Sequence, residues 1–410
     1  MGNFRLIFSR SETSLKQKKG KALTWNTYSQ FNLLFLSTLM LSLTGVSLVN
    51  FIVDPYDIFR YHNPLEAKLV KPEKLNYDRL YKTIDIINIK PEVIILGSSR
   101  AKQGLNPKHP GFPTDKTVYN LGIDGSNTYE ILRYLEHSYA NQPNLKKVIL
   151  GVDHYMFNDF YKLQDSFDEN RLGKTHITAT DLLNSLFSQD ALIASKNTIQ
   201  ENLSLSKNTQ DLTYGDNGFF PHREPNDGKT QWRFTNTINQ YFGFHKQYKL
   251  SEAHLNNFKK IVEFCRKNNI ELIVFISPSH VTQWEALRVT NRWDSFEKWK
   301  RKMVEITPVW DFSGYNSITT EPIKDVMTNY VDNSHYTPGI GDLVLNRILS
   351  HEVNQVPQDF GFLMTPENID AHLAKIRSDR SRWAKIQQNE VELVENLKRN
   401  FDKSQKSQLK

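Results

Sequence analysis

The longest uninterrupted apolar stretch runs from Phe31 to Val53, FNLLFLSTLMLSLTGVSLVNFIV, without one charged residue. At about 1.5 Å per residue, a helix of this length crosses a hydrocarbon core of about 30 Å. A buried core helix is usually shorter and has a polar face. A cleaved signal peptide has an apolar core of about 7–15 residues and a small-x-small cleavage site, and Leu48-Val49-Asn50-Phe51 offers none. The pattern predicts an uncleaved transmembrane anchor over 31–53, preceded by a tail (1–30) and followed by a Pro-containing connector (54–72).

Beyond the connector, helix and strand signals alternate. Leu80, Ile84 and Ile87 recur at helical spacing. Val93–Leu96 is a short continuous apolar run, as expected of a strand buried on both faces. Val118–Leu121 and Lys147–Val152 read as further strands, separated by a helix marked by Ile131, Leu132 and Leu135. Residues 155–250 break the rhythm. They are polar and carry Phe219, Phe220, Trp232, Phe234, Tyr241, Phe242 and Phe244, between Tyr214 and Tyr248. An insertion or lid is expected here, its aromatics either stacking on sugar rings or making a small core of their own.

The alternation resumes at Ser251, a plausible N-cap. Leu255, Phe258, Val262 and Cys265 then share one helical face, followed by a strand over Glu271–Ile276. A helix over Phe296–Ile306, a strand over Pro308–Phe312 and a helix over Pro338–Leu349 complete the series. Repeated strand–helix units imply an α/β domain over 54–350, with a mostly parallel sheet covered on both faces. Residues 351–410 form a charged helical tail in which Ile369, Leu373, Ile376, Trp383 and Ile386 keep helical spacing.

Charge refines this picture in one place. The net charge of +7 over 410 residues is concentrated before Trp25, where Arg5, Arg10, Lys16, Lys18, Lys19 and Lys21 face one acid, Glu12. By the positive-inside rule this tail stays in the cytoplasm and the remainder crosses the membrane. The folded part has no basic stripe interleaved with aromatics, so nucleic acid is not an expected partner. Cys265 is the only cysteine. It can form no internal disulfide or thiolate cluster, and its helical face predicts a buried thiol.

Ligands in open α/β sheets gather at the carboxyl ends of strands. Candidate chemistry stands there: Ser98 and Ser99 after the first strand, Asp124 and Gly125 after the second, Asp153 and His154 after the third. Ser277, Ser279 and His280 follow the fourth, Asp311 ends the fifth, and Asp332-Asn333-Ser334-His335 precedes the last domain helix. A hydroxyl, an imidazole and a carboxylate are what nucleophilic acyl transfer requires. Taken singly, Ser98-Ser99 also reads as a helix N-cap and Asp332/His335 as a solvated loop. His280 is a rival imidazole, and His154 reads as structural. Asp153, His154, His280 and Asp311 lack the close spacing of a metal site, so no metal and no cofactor are expected.

In this order, Gly97-Ser98-Ser99, Asn120 to Gly125, Gly151-Val152-Asp153-His154 and Asp332-x-x-His335 resemble the SGNH/GDSL superfamily of esterases and acyltransferases. The membrane-anchored bacterial branch, acting on O-acyl groups of envelope polymers, is the most similar. The resemblance spans about residues 93–349 and implies a three-layer, flavodoxin-like sheet. It implies Ser99 as nucleophile, His335 as general base and Asp332 as its orienting carboxylate. It also implies an oxyanion hole from the backbone of Ser99, the glycine Gly125 and the side chain at 153. There the chain departs from the pattern, with Asp in place of Asn. An ionised carboxylate has no donor to offer. A protonated Asp153, a substitute amide from Asn127 or Asn158, and a site that hydrolyses nothing all stay open.

Arg100 is expected either to bind an acidic group of the substrate or to pair with a carboxylate, and His280 to contact substrate. The implied function is that of an esterase or O-acyltransferase. It acts, outside the inner membrane, on acetyl or other acyl esters of an envelope or secreted polysaccharide. A membrane protein supplying acyl groups is a further partner that the resemblance allows. The alternative is a catalytically inactive envelope protein that binds glycan or a membrane partner.

Overall fold

The computed structural model describes residues 25–65, 69–204, 215–221 and 227–408. The basic run before Trp25 lies outside the described residues, as does Tyr214 of the aromatic insertion. The apolar run belongs to helix α1 (Trp25–Val53), which begins before Phe31. Its stretch Thr27–Val53 has a mean hydropathy of 1.8 over its best window and is almost wholly exposed. An N-terminal helix of this kind fits a signal anchor or a signal peptide.

Six strands form one sheet in the order β2-β1-β3-β4-β5-β6. They are β1 (Val93–Gly97), β2 (Val118–Gly122), β3 (Lys147–Val152), β4 (Glu271–Ile276), β5 (Val309–Asp311) and β6 (Phe362–Met364). The first five are parallel and β6 is antiparallel to β5. The continuous apolar runs have a simple cause. Successive side chains of a strand point to opposite faces, and here both faces are covered. Ile94, Leu96, Val148, Leu150, Val274 and Ile276 enter one core. Val93, Ile95, Ile149 and Phe275 enter the other.

Helices supply the covering layers. After α2 (Asp78–Ile89) and the short α3 (Ser99–Gly104) comes α4 (Thr128–Asn141), which brings Ile131, Leu132 and Leu135 to the first core. The interrupting segment holds α5 (Ala179–Phe187), α6 (Gln189–Ser204) and α7 (Thr230–Lys246). It divides by location. Helices α5 and α6 pack on the C-terminal end of α1, while α7 packs beside the strand ends. The chain continues through α8 (Glu252–Lys267), capped by the Ser251 hydroxyl, α9 (Val281–Val289) and α10 (Trp293–Val304). Helix α11 (Pro338–Ile348) starts with its proline in the first turn and covers the second core with Ile340, Val344 and Leu345.

The tail differs from a purely helical appendage. Residues 362–364 form β6, which extends the sheet by one strand. Helix α12 (Ile369–Ile386) then buries Leu373, Ile376 and Trp383 in the first core. Helix α13 (Gln388–Gln408) packs against α7 and α9. At the other edge, buried Lys82 on α2 donates from Nζ to the carbonyls of Asn120 (2.8 Å), Gly122 (2.7 Å) and Gly218 (2.9 Å). The segment around Gly218 thereby covers an edge strand that would otherwise offer open carbonyls to another chain.

Candidate functional site

Strand β1 ends in a turn that only glycine fits. Gly97 has φ +148°, and a Cβ there would sit 2.9 Å from Ala101 Cβ and 3.0 Å from the Gly151 carbonyl oxygen. The sharp exit separates the two serines that follow. Ser98 is the N-cap of α3. Its hydroxyl accepts from the Arg100 N–H (3.3 Å) and donates to Asp153 Oδ2 (2.8 Å). Ser99 is the first residue of the helix and faces the other way, with Oγ 2.9 Å from His335 Nε2.

The imidazole is held by its own loop. His335 Nδ1 lies 2.9 Å from Asp332 Oδ2, and Asp332 Oδ1 accepts the backbone N–H groups of Ser334 (2.7 Å) and His335 (2.8 Å). An antiparallel bridge between Tyr330 and Tyr336 closes this turn. The Tyr330 hydroxyl ties it to the Pro278 carbonyl at the end of β4 (3.0 Å). A carboxylate on Nδ1 fixes the tautomer that leaves Nε2 to accept the serine proton.

Electrostatics follow from this geometry. Burial opposes the imidazolium of His335, but the Asp332 carboxylate outweighs it and raises the pKa above 6.5. Burial opposes the Asp332 anion too. His335 and the two backbone N–H groups overcome it and hold the carboxyl down to about 2. The side chains of His335 and Asp332 are 20% and 14% exposed, so the pair is reachable from solvent.

The other expected residues occupy different settings. Asp153 is buried and both its oxygens accept: Oδ2 from Ser98 and Oδ1 from Arg100 NH1 at 2.5 Å. As placed, it offers no donor to an oxyanion. Arg100 is 2% exposed. It donates to Asp153, to Ser334 Oγ (3.0 Å), to the Tyr241 hydroxyl (2.5 Å) and to Gln283 Oε1 (3.0 Å). Of the two settings expected for Arg100, the structure has the carboxylate pairing.

His280 is fully buried. It caps α9, with Nδ1 at Thr282 Oγ1 (2.9 Å) and Nε2 at the Glu321 carbonyl (2.7 Å), and burial lowers its pKa to about 4. Both ring nitrogens expected at a substrate are engaged within the protein. His154 is stacked on Tyr248 at 4.0 Å in an aromatic cluster. Asn127 caps α4, and Asn158 fixes the start of the insertion against Phe244 and Lys249.

Gly125 stands in a turn with φ +60°, where a Cβ would meet the Tyr161 hydroxyl at 2.9 Å. Close by, Lys102 Nζ pairs with Asp124 Oδ2 at 2.6 Å. Among the described residues, no group of three or more His, Cys, Asp or Glu is arranged to hold a metal ion.

Two partners of Arg100 are not singled out by the sequence, where Tyr241 reads only as one of the insertion's aromatics. Tyr241 arrives on α7 from the insertion, and Gln283 on α9. Their positions depend on tertiary packing, and no local pattern marks them. Ser334 was within sight, inside the Asp332–His335 motif, where its hydroxyl ties that loop to Arg100. What the arrangement offers chemically is a hydroxyl, an imidazole and a carboxylate in one hydrogen-bonded line. No protein-family model matches this chain, and no curated protein matches it either.

Proposed function

We propose that the chain is a membrane-anchored serine esterase or O-acyltransferase of the SGNH type, acting outside the membrane on acyl esters of an envelope or secreted polysaccharide. The observation that carries this reading is the line Ser99 Oγ–His335 Nε2–His335 Nδ1–Asp332 Oδ2, with 2.9 Å at each hydrogen bond. The order β2-β1-β3-β4-β5 supports it, being the flavodoxin-like order. It puts Ser99 at the switch point between β1 and β3, where doubly wound sheets bind ligands.

In this mechanism His335 takes the Ser99 proton as Oγ attacks the ester carbonyl. Asp332 stabilises the imidazolium. The C–O bond of the alcohol breaks, the departing oxygen receives that proton from His335, and an acyl-Ser99 remains. Water or a sugar hydroxyl then gives its proton to His335 and accepts the acyl group, restoring Ser99. The oxyanion donors are the N–H of Ser99, which lies beyond reach of its own helix's carbonyls, and the N–H of Gly125. Loss of one oxyanion donor typically costs about 10²–10³ in rate, so a two-donor hole makes a slower catalyst than a three-donor one.

The Asp153–Arg100 ion pair favours a second reading, a catalytically inactive relative that binds glycan or a membrane partner. A fluorophosphonate probe separates the two. The enzyme reading expects labelling of the full-length protein that disappears in Ser99→Ala and persists in Ser98→Ala, which loses an N-cap worth about 1 kcal/mol and one hydrogen bond to Asp153. A folded wild type that takes up no label, and releases no acetate from O-acetylated envelope glycan, leaves the inactive reading standing.

A further inference from the structure

Helices α5 and α6 show apolar surface on two sides. Their inner sides, with Leu182 and Leu186 on α5 and Ala191 and Ala194 on α6, pack on the end of α1 and on the cluster of Tyr56, Ile58, Phe59, Leu80 and Ile84. Their outer sides expose Leu183 and Phe187 on α5, and Leu192, Ile193, Ile199 and Leu203 on α6. Leu203 is 82% exposed and Leu183 56%. On α6, Leu192, Lys196, Ile199 and Leu203 follow helical spacing on one stripe. A lysine in such a stripe can bury its stem and keep its ammonium among polar groups.

The place of this surface along α1 gives it meaning. Residues 27–45 of α1 are exposed on every side, and contact with the rest of the chain begins at residues 46–47. At about 1.5 Å per residue the bare segment is about 28 Å long, close to the hydrocarbon thickness of about 30 Å. The hydrocarbon boundary then falls where α5 and α6 start to cover α1. Asn50, fully buried just past that point, donates to the Leu186 carbonyl (3.0 Å) and accepts from Ser195 Oγ (2.8 Å). These bonds tie both helices to the emerging end of the span. A polar group fixed so near the bilayer has its partners inside the protein, as hydrocarbon requires.

We propose that α5 and α6 form a platform lying in the membrane interface, with Leu183, Phe187, Ile199 and Leu203 inserted among the lipids of the leaflet from which α1 emerges. The occupant of this apolar surface is the bilayer itself. Amphipathic helices in this position bury their apolar faces about 5–10 Å into the headgroup and acyl boundary. The apolar surface continues from α5 into a groove of about 350 Å³ between Phe59, Ile84, Ile87 and Leu182. A platform tied at two edges fixes the tilt of the α/β domain, and with it the height of Ser99 above the membrane. The proposal rests on α1 being a retained span.

Nitroxide labels on the full-length protein in phosphatidylcholine/phosphatidylglycerol nanodiscs test both. Cys265 stays in place, because it is buried and burial pushes its thiol up to about 12. Labels at Leu36→Cys in α1, Leu183→Cys, Leu203→Cys and the exposed control Lys298→Cys are compared for collision with oxygen and with a water-soluble nickel chelate. The expected result is oxygen-dominated collision at 36, 183 and 203, and nickel-dominated collision at 298. Oxygen at 36 with nickel at 183 and 203 overturns the platform and leaves the anchor intact, the surface then belonging to a protein partner or to none. Nickel at 36 removes the anchor, and the platform with it.

Discussion

Ser98 and Ser99 are adjacent in the chain and opposite in circumstance, and the difference comes from one glycine turn. The turn at Gly97 points Ser98 back to Asp153 and Ser99 out to His335. If His335 is the base, it must be neutral to accept the serine proton. Its pKa stands above 6.5 because the Asp332 carboxylate outweighs burial. The rate should then rise with pH through a midpoint above 6.5, and Asp332→Asn should move that midpoint down while lowering the rate. Profiles of kcat/KM for an acyl ester between about pH 5 and about pH 9 check this. A midpoint at or below 6.5 in the wild type would sink the assignment of His335. Arg100 and Asp153 make a second case. Removing one partner of a buried ion pair leaves an uncompensated charge and costs about 3–5 kcal/mol. Arg100→Met and Asp153→Asn should each be destabilised on that scale in urea. The double variant should lose clearly less than the sum, since both changes act on one contact. Strict additivity would mean the pair is not coupled. The serine, histidine and aspartate were legible because strand ends and a three-residue spacing are local features. The partner of Asp153 was legible only as an alternative, since Arg100 reads equally as a ligand for substrate until its four acceptors are seen.

Among the elements, the parallel strands were readable because burial on both faces leaves a continuous apolar run, and the helices because one face keeps its spacing. Strand β6 was not. Phe-Leu-Met at 362–364 is too short to carry a period, and it joins the sheet only through pairing with β5. Nor was the division of the insertion legible, because α5 and α6 are placed by contact with α1 and α7 by contact with the strand ends. The tail, expected to be a charged helical segment, is joined to the sheet by β6 and by a buried clasp. Asp311, at the end of β5, accepts from Lys300 Nζ (2.6 Å) and pairs with His372 Nε2 of α12 (2.7 Å). Helix α12 thus behaves as part of the domain. Ile376→Ala, which empties a buried site in the first core, should cost about 2–5 kcal/mol. Arg382→Ala, on the exposed side of the same helix, should stay within about 0.5 kcal/mol. Equal, small losses in both variants would show that α12 is not docked in solution.

For the whole molecule, the buried histidines set the response to acid. His137, His154, His245 and His280 lie in different elements and all are buried. Burial lowers His280 to about 4 and His245 to about 3, and pushes His137 and His154 down as well. In the unfolded chain each takes up a proton near pH 6.5, while the folded chain does not. The unfolded state therefore binds more protons as pH falls below 6.5, and stability falls with it. Carboxyls raised by burial act in the opposite sense. Burial raises Asp54 to about 6 and Glu130 to about 7, so the stability they contribute at low pH is lost as pH rises to those values. His335 has its own window: its contribution is full below 6.5 and is lost as pH climbs through its raised pKa. Between about pH 5 and about pH 6.5 these four histidines, with His109 and His254 which burial also lowers, outnumber the raised carboxyls Asp54, Glu130 and Asp342, and the balance is a loss of stability toward acid. The urea midpoint of the full-length protein should therefore be lower at about pH 5 than at about pH 6.5. His280→Gln removes one of these protons. It should flatten the acid arm by up to about 1.4 kcal/mol per pH unit, while leaving the stability lost above pH 6.5 through His335 in place. An acid arm of unchanged slope in His280→Gln would mean that His280 carries its proton in the folded chain, against the burial and the two hydrogen bonds that surround it.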